Sequence, residues 1–150
     1  MDVNASIGRS IRRLFRLNQK YAMGHMEHPD LTQSELQLLR HIGFHGTVSQ
    51  RHLAESMNVD KAMVSRILHK LELKGYLIRR EDEKDARSKI IEALPPAREI
   101  HVEGKGYSER FFDAVTKDFT QEELELLNRL LERMVEEAQT LNSSGKESRS

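Results

Sequence analysis

Leu71-Glu72-Leu73-Lys74-Gly75-Tyr76-Leu77-Ile78-Arg79, with Asp82, Asp85 and Arg87 following, is where the hydrophobic period of this chain changes. Upstream of Gly75, Val64, Ile67, Leu68 and Leu71 recur at helical spacing. Downstream, Tyr76–Arg80 and Lys89–Leu94 are short and β-prone, and the stretch between them is polar apart from Ala86. Gly75 stands where a helix needs its left-handed C′ residue. The run therefore reads as a helix stopped at a glycine and feeding a hairpin with a long charged tip.

Working back, Asp60 is an N-cap candidate for that helix, with Val59 placed to staple onto Val64. A shorter helix precedes it, with Ser49 as N-cap and Leu53, Ala54 and Met57 as its buried edge. Before that, Thr32-Gln33-Ser34-Glu35 fits a capping box, and Leu36, Leu39 and Ile42 face inward until the helix fades at Gly43–Gly46. Three short helices followed by a two-stranded hairpin is the winged helix-turn-helix order. The expected fold class is mainly α with a small β-hairpin wing, flanked by N- and C-terminal dimerisation helices.

Toward the ends, Ile7, Ile11, Leu14, Leu17 and Tyr21 form one stripe, with Arg9, Arg12, Arg13 and Arg16 on the other faces, and His28-Pro29-Asp30 breaks the pattern. Pro95-Pro96 end the second strand and can open a helix over about 97–118, weakened by Gly104 and Gly106. Thr120-Gln121-Glu122-Glu123 is a second capping box, and Leu124, Leu127, Leu131, Met134, Ala138 and Leu141 follow in a near-heptad stripe. The expected organisation is one domain over 1–141. Dimerisation helices at about 4–27 and 97–141 surround a winged helix-turn-helix of about 31–95, and the polar residues 142–150 are a disordered tail. A chain of this length would struggle to cover both terminal stripes alone, so a homodimer is expected; an intramolecular core is the other possibility.

The chain has 150 residues, 37 % hydrophobic and 32 % charged, with no cysteine. Disulfides and thiolate metal sites are excluded. No run is long enough for a membrane span, and the N-terminus has no signal-peptide core, so no membrane partner and a cytoplasmic location are expected. Net charge is zero, but its distribution is uneven. Residues 1–45 carry 6 basic and 4 acidic side chains, residues 46–93 carry 10 and 8, and residues 97–150 carry 8 and 12. Basic groups in the central region are thus available to form a local patch.

Removing the buried stripe of the Asp60–Lys74 helix leaves Lys61, Ala62, Ser65, Arg66, His69 and Lys70 facing outward. Small residues where a backbone comes close, ringed by donors, suit a helix entering the major groove of double-stranded DNA. From the helix alone, a merely solvated basic face fits as well. The wider pattern is more specific. Leu53-Ala54-Glu55, Val64-Ser65-Arg66, Leu71 to Arg79 and the Asp82-x-x-Asp85-x-Arg87 wing together resemble the multiple-antibiotic-resistance regulator (MarR) family across nearly the whole chain.

The resemblance implies a dimeric transcription regulator, most simply a repressor of a palindromic operator. It places Arg87 in the minor groove with Asp85 orienting it, and it implies a two-fold dimer of intertwined termini. Ser49, Arg51 and Lys89 become candidate phosphate contacts. The family's usual Leu-Thr-x-x-Gly after the wing is here Leu94-Pro95-Pro96-Ala97-Arg98, so the start of the fifth helix departs from the pattern. The resemblance also implies relief by a small aromatic or phenolic acid, for which Arg16, Tyr21 and His25 are the ligand candidates; a purely structural role suits them too.

Seven histidines raise the question of a metal. His41 and His45 share a face if their helix extends that far, and His25 and His28 are close in sequence; the resemblance implies that a zinc regulator would carry paired histidines on the fifth helix, where this chain has only His101, so no metal site or cofactor is expected. No nucleophile–base pair, phosphate-cradling loop or paired-carboxylate motif is present, so an enzyme is not expected. The alternative to a DNA reader is a winged-helix protein-interaction module, which the neutral net charge permits.

Overall fold

The computed structural model describes residues 2–57 and 59–147. The elements run α1 (Val3–His25), α2 (Gln33–His45), β1 (Thr47–Ser49), α3 (Gln50–Met57), α4 (Lys61–Leu73), β2 (Leu77–Glu81), β3 (Lys89–Ala93), α5 (Pro95–Val115) and α6 (Gln121–Glu147). The chain divides after Phe111 into two compact units.

Local chemistry sets the boundaries. Thr32 and Glu35 close a reciprocal capping box at the start of α2, and Asp60 accepts the Ala62 amide at 3.3 Å to start α4. Helix α4 ends in a Schellman motif. The Tyr76 amide bonds to the Leu71 carbonyl, the Gly75 amide bonds to that of Glu72, and Gly75 sits at φ +83°. Helix α5 starts at Pro95, a residue with no N–H to leave orphaned, so the departure at Leu94-Pro95-Pro96 still yields a clean start two residues earlier than expected.

The hairpin is larger than the sequence suggested. Strand β1 adds to its outer side, giving an antiparallel sheet in the order β1-β3-β2, with Val48 opposite Ile91 and Leu77 opposite Ala93. Three residues are too few to show an alternating pattern, so this strand was not foreseen.

Leu38, Leu39, Ile42, Leu53, Val64, Leu68, Leu71, Leu77 and Ile91 are fully buried in one core beneath α2, α3, α4 and the sheet. The stripes expected on α2, α3 and α4 are thus the ones buried, with Leu38 added and Met57 and Ile67 only partly covered. Glu35 lies among these residues at 2 % exposure and receives the Lys74 ammonium at 2.8 Å. Burial alone would raise its carboxyl, but the Lys74 and Thr32 hydrogen bonds outweigh that and hold it below the usual carboxylate value. Tyr76 donates to Asp30 at 2.8 Å, and burial with that bond pushes its phenol up to about 12. Together these pairs fasten the C-terminal end of α4 to the start of α2.

Helix α1 buries only Ala22, while Ile7, Ile11, Leu14 and Leu17 remain 40–51 % exposed. In the second unit, Thr120 and Glu123 form the expected capping box. Leu127, Leu131, Met134 and Leu141 of α6 are exposed. Residues 142–147 continue this helix instead of forming the expected disordered tail, with Ser143 and Ser144 hydroxyls bonded back to carbonyls one turn earlier; residues 148–150 lie outside the described residues.

Candidate nucleic-acid interface

The outward face of α4 is as the buried stripe required: Lys61, Ala62, Arg66, His69 and Lys70 are exposed and Ser65 is half-buried. Met63, 39 % exposed, also faces outward and was not foreseen, because an apolar residue in a helical run is normally assigned to the core. The N-terminal turns of α4 look onto a cleft of about 470 Å³ whose walls include α3 and the wing. Its lining brings together Arg51, Lys61, Ser65, Asp85, Arg87 and Lys89 of the expected residues. Ser49, Ala62, Arg66, His69 and Lys70 lie outside it. Ser49 ends β1, and its hydroxyl accepts the His52 amide at 3.0 Å, the N-cap bond expected of it.

Among the described residues, five cations line this cleft against one carboxylate: Arg51, Lys61, Arg79, Arg87 and Lys89 against Asp85. Among the described residues Lys61, Arg87 and Lys89 make no ion pair, so a local excess of positive charge persists despite zero net charge.

The wing tip is built from two successive aspartate turns. Asp82 accepts the Lys84 amide at 2.9 Å, and Asp85 accepts the Arg87 amide at 3.0 Å. Asp85 therefore shapes the backbone that presents Arg87, and its other oxygen lies 3.9 Å from Arg51 on α3. The Asp82-x-x-Asp85 spacing is thus the spacing of the turns.

At the base of the wing, β2 register puts Arg79 on the same sheet face as buried Leu77, turned toward α4. Its amide donates to Glu72 at 2.9 Å and its guanidinium to Glu72 and His69, each at 3.4 Å. Donation to His69 Nδ1 leaves that ring's proton on Nε2. Arg79 carried a motif position in the sequence but no assigned role; the sign was a charged residue at an inward-facing strand position.

A second cleft of about 570 Å³ lies in the first unit, lined by α1, α2, α3 and α5. Arg40, Lys105, His41 and His101 line it together with Phe15 and Met57, and among the described residues no carboxylate does. Arg40 is bonded to Gln19 at 2.6 Å, and burial lowers its pKa. Its guanidinium lies where a Cβ on Gly104 would stand, so this glycine makes room for the arginine. Gly106, by contrast, faces open space. Arg16, Tyr21 and His25 line neither of these clefts. Arg16 is exposed, while the Tyr21 and His25 rings pack tilted to each other at 4.2 Å and meet Phe111 and Tyr107 of α5 at 5.7 and 5.3 Å.

A three-helix head with one cationic helix face and a hairpin wing that completes the same cleft defines a winged helix-turn-helix module. Residues 31–89 match the model of the MarR family. The uncharacterized HTH-type transcriptional regulator YdgJ of Bacillus subtilis strain 168 is 34 % identical over 104 residues, covering 69 % of this chain and 63 % of that protein. An uncharacterized HTH-type transcriptional regulator of Bacillus anthracis is 31 % identical over 103 residues, covering 68 % of each. A crystal structure of MarR superposes with a TM-score of 0.69 at 27 % identity, over 88 % of this chain and 96 % of that one. The chain belongs to the MarR family, whose members are transcription regulators and not enzymes. No helix among the described residues is long and apolar enough to cross a membrane.

Proposed function

We propose that this protein is a sequence-specific double-stranded DNA-binding regulator that acts as a homodimer on a palindromic operator, as a repressor. The observation that carries this reading is the cleft in which Lys61 and Ser65 of α4, Arg51 of α3 and Arg87 and Lys89 of the wing converge. Lys61, Ala62, Ser65, Arg66, His69 and Lys70 read major-groove edges and flanking phosphates. Arg87 enters the minor groove from a tip that Asp85 shapes. Ser49, Arg51 and Lys89 hold the backbone. The exposed stripes of α1 and α6 support the dimer, because a buried leucine is stabilised by about 1.5–3 kcal/mol relative to an exposed one.

Relief comes from a small aromatic or phenolic acid. The carboxylate-free cleft at Arg40 supports this effector, since it offers a guanidinium beside Phe15 and Met57. Arg16, Tyr21 and His25 remain the alternative ligand set. Titrating the DNA upstream of the protein's own reading frame at several salt concentrations tests the function. A logarithmic affinity that falls linearly with logarithmic salt, with random DNA bound far more weakly, is expected. Equal affinity for random DNA, or none for either, would overturn it.

A further inference from the structure

Helix α2 extends to His45, which puts His41 and His45 one turn apart on the same face with ring centres 5.2 Å apart. Helix α3 then adds a third imidazole: the His52 ring lies 5.8 Å from that of His45. Two imidazoles sharing a tetrahedral zinc ion, each nitrogen about 2.1 Å from the metal, hold their ring centres roughly 5 Å apart. The first pair already has this spacing, and the second is close to it.

We propose that His41, His45 and His52 bind a borderline divalent transition-metal ion, Zn²⁺ foremost, which fastens the C-terminal end of α2 to α3. As the rings stand, no three histidine or carboxylate donors meet at ligating distance among the described residues, so the site closes on the ion. His45 and His52 are exposed, and rotation of the His52 side chain supplies the movement. His41 is already oriented. The Ser56 hydroxyl donates its one proton to the Leu53 carbonyl at 3.2 Å, so at 3.0 Å it accepts from His41 Nε2–H. That fixes the tautomer of His41 and leaves the Nδ1 lone pair for a metal, the role that partners beyond the ligands play at histidine metal sites. An all-imidazole donor set suits zinc, nickel and copper over calcium or magnesium.

Zinc sulfate alone, titrated into the full-length chain at pH 7.5 in a calorimeter, tests the site. One ion per chain is expected. His45→Ala and His52→Ala should each weaken binding at least tenfold, and Ser56→Ala, which keeps all three ligands, about tenfold. Cobalt in place of zinc should give the visible spectrum of a tetrahedral site. Absence of zinc binding, or binding that His52→Ala leaves unchanged, would overturn the proposal. So would binding lost with His25, His28 or His101 instead. His52 is exposed, so metal-free melting of that variant should superimpose on the parent and separate ligand loss from unfolding.

Discussion

Glu72 of α4 accepts two hydrogen bonds from Arg79 of β2, one from its backbone amide at 2.9 Å and one from its guanidinium at 3.4 Å. The pair bridges the Schellman turn at Gly75 and fixes the angle at which the wing leaves α4. Glu72→Ala removes both acceptors and leaves a guanidinium only 14 % exposed without its carboxylate. The expected loss is about 1–2 kcal/mol in urea unfolding, from charge-assisted bonds that are partly open to solvent. DNA affinity should fall further than this, because the wing is freed as well.

Asp85 separates shape from stability. Its carboxylate holds the wing turn through the Arg87 amide and approaches Arg51. Both contacts are at the surface, so Asp85→Ala should change stability by no more than about 0.5 kcal/mol. It should nevertheless weaken operator binding several-fold, as Arg87 loses its fixed presentation. Parallel urea melts and DNA titrations check the two effects.

Two glycines should respond in opposite directions. A Cβ on Gly43 would stand 2.5 Å from His101 Cβ and 3.0 Å from the Ala97 carbonyl oxygen. Neither atom can swing aside, so Gly43→Ala should destabilise by about 1–3 kcal/mol, despite alanine's better helix propensity. At Gly106 the added methyl meets nothing, and Gly106→Ala should stabilise by up to about 1 kcal/mol. Thermal melts of the two variants provide the comparison.

His41 makes stability depend on pH. Burial first, and then His45 and His52, hold its pKa below the ordinary 6.5. The folded chain takes up this proton less readily than the unfolded chain does. The contribution is therefore complete above about pH 6.5 and lost as pH falls toward the folded value. Between pH 7 and pH 5 the urea midpoint should drop more for the parent than for His41→Asn. In NMR titrations the His41 ring should have its midpoint below 6.5.

Where each side chain's surroundings lie within a few residues, sequence was enough. The capping boxes at Thr32 and Thr120, the cap at Asp60, the stop at Gly75 and the buried stripe of α4 depend on local spacing, and all stand as expected. Contacts set by tertiary packing were not legible. Strand β1 needs β3 as a partner, Arg40 and Gly104 meet only when α2 crosses α5, and His52 reaches His45 only across two helices. The α6 extension past Asn142 was missed because its residues are polar. Serine hydroxyls there bond back to the preceding turn, which composition alone does not show.

Reading of DNA by the wing is proposed to run through Arg87. Its direct test is operator affinity for Arg87→Ala beside the parent chain, with dimer mass followed by sedimentation on the same samples. A loss of about 1–3 kcal/mol in binding, roughly 5- to 150-fold, is expected, with the dimer unchanged. An unchanged affinity in a correctly assembled dimer would contradict it.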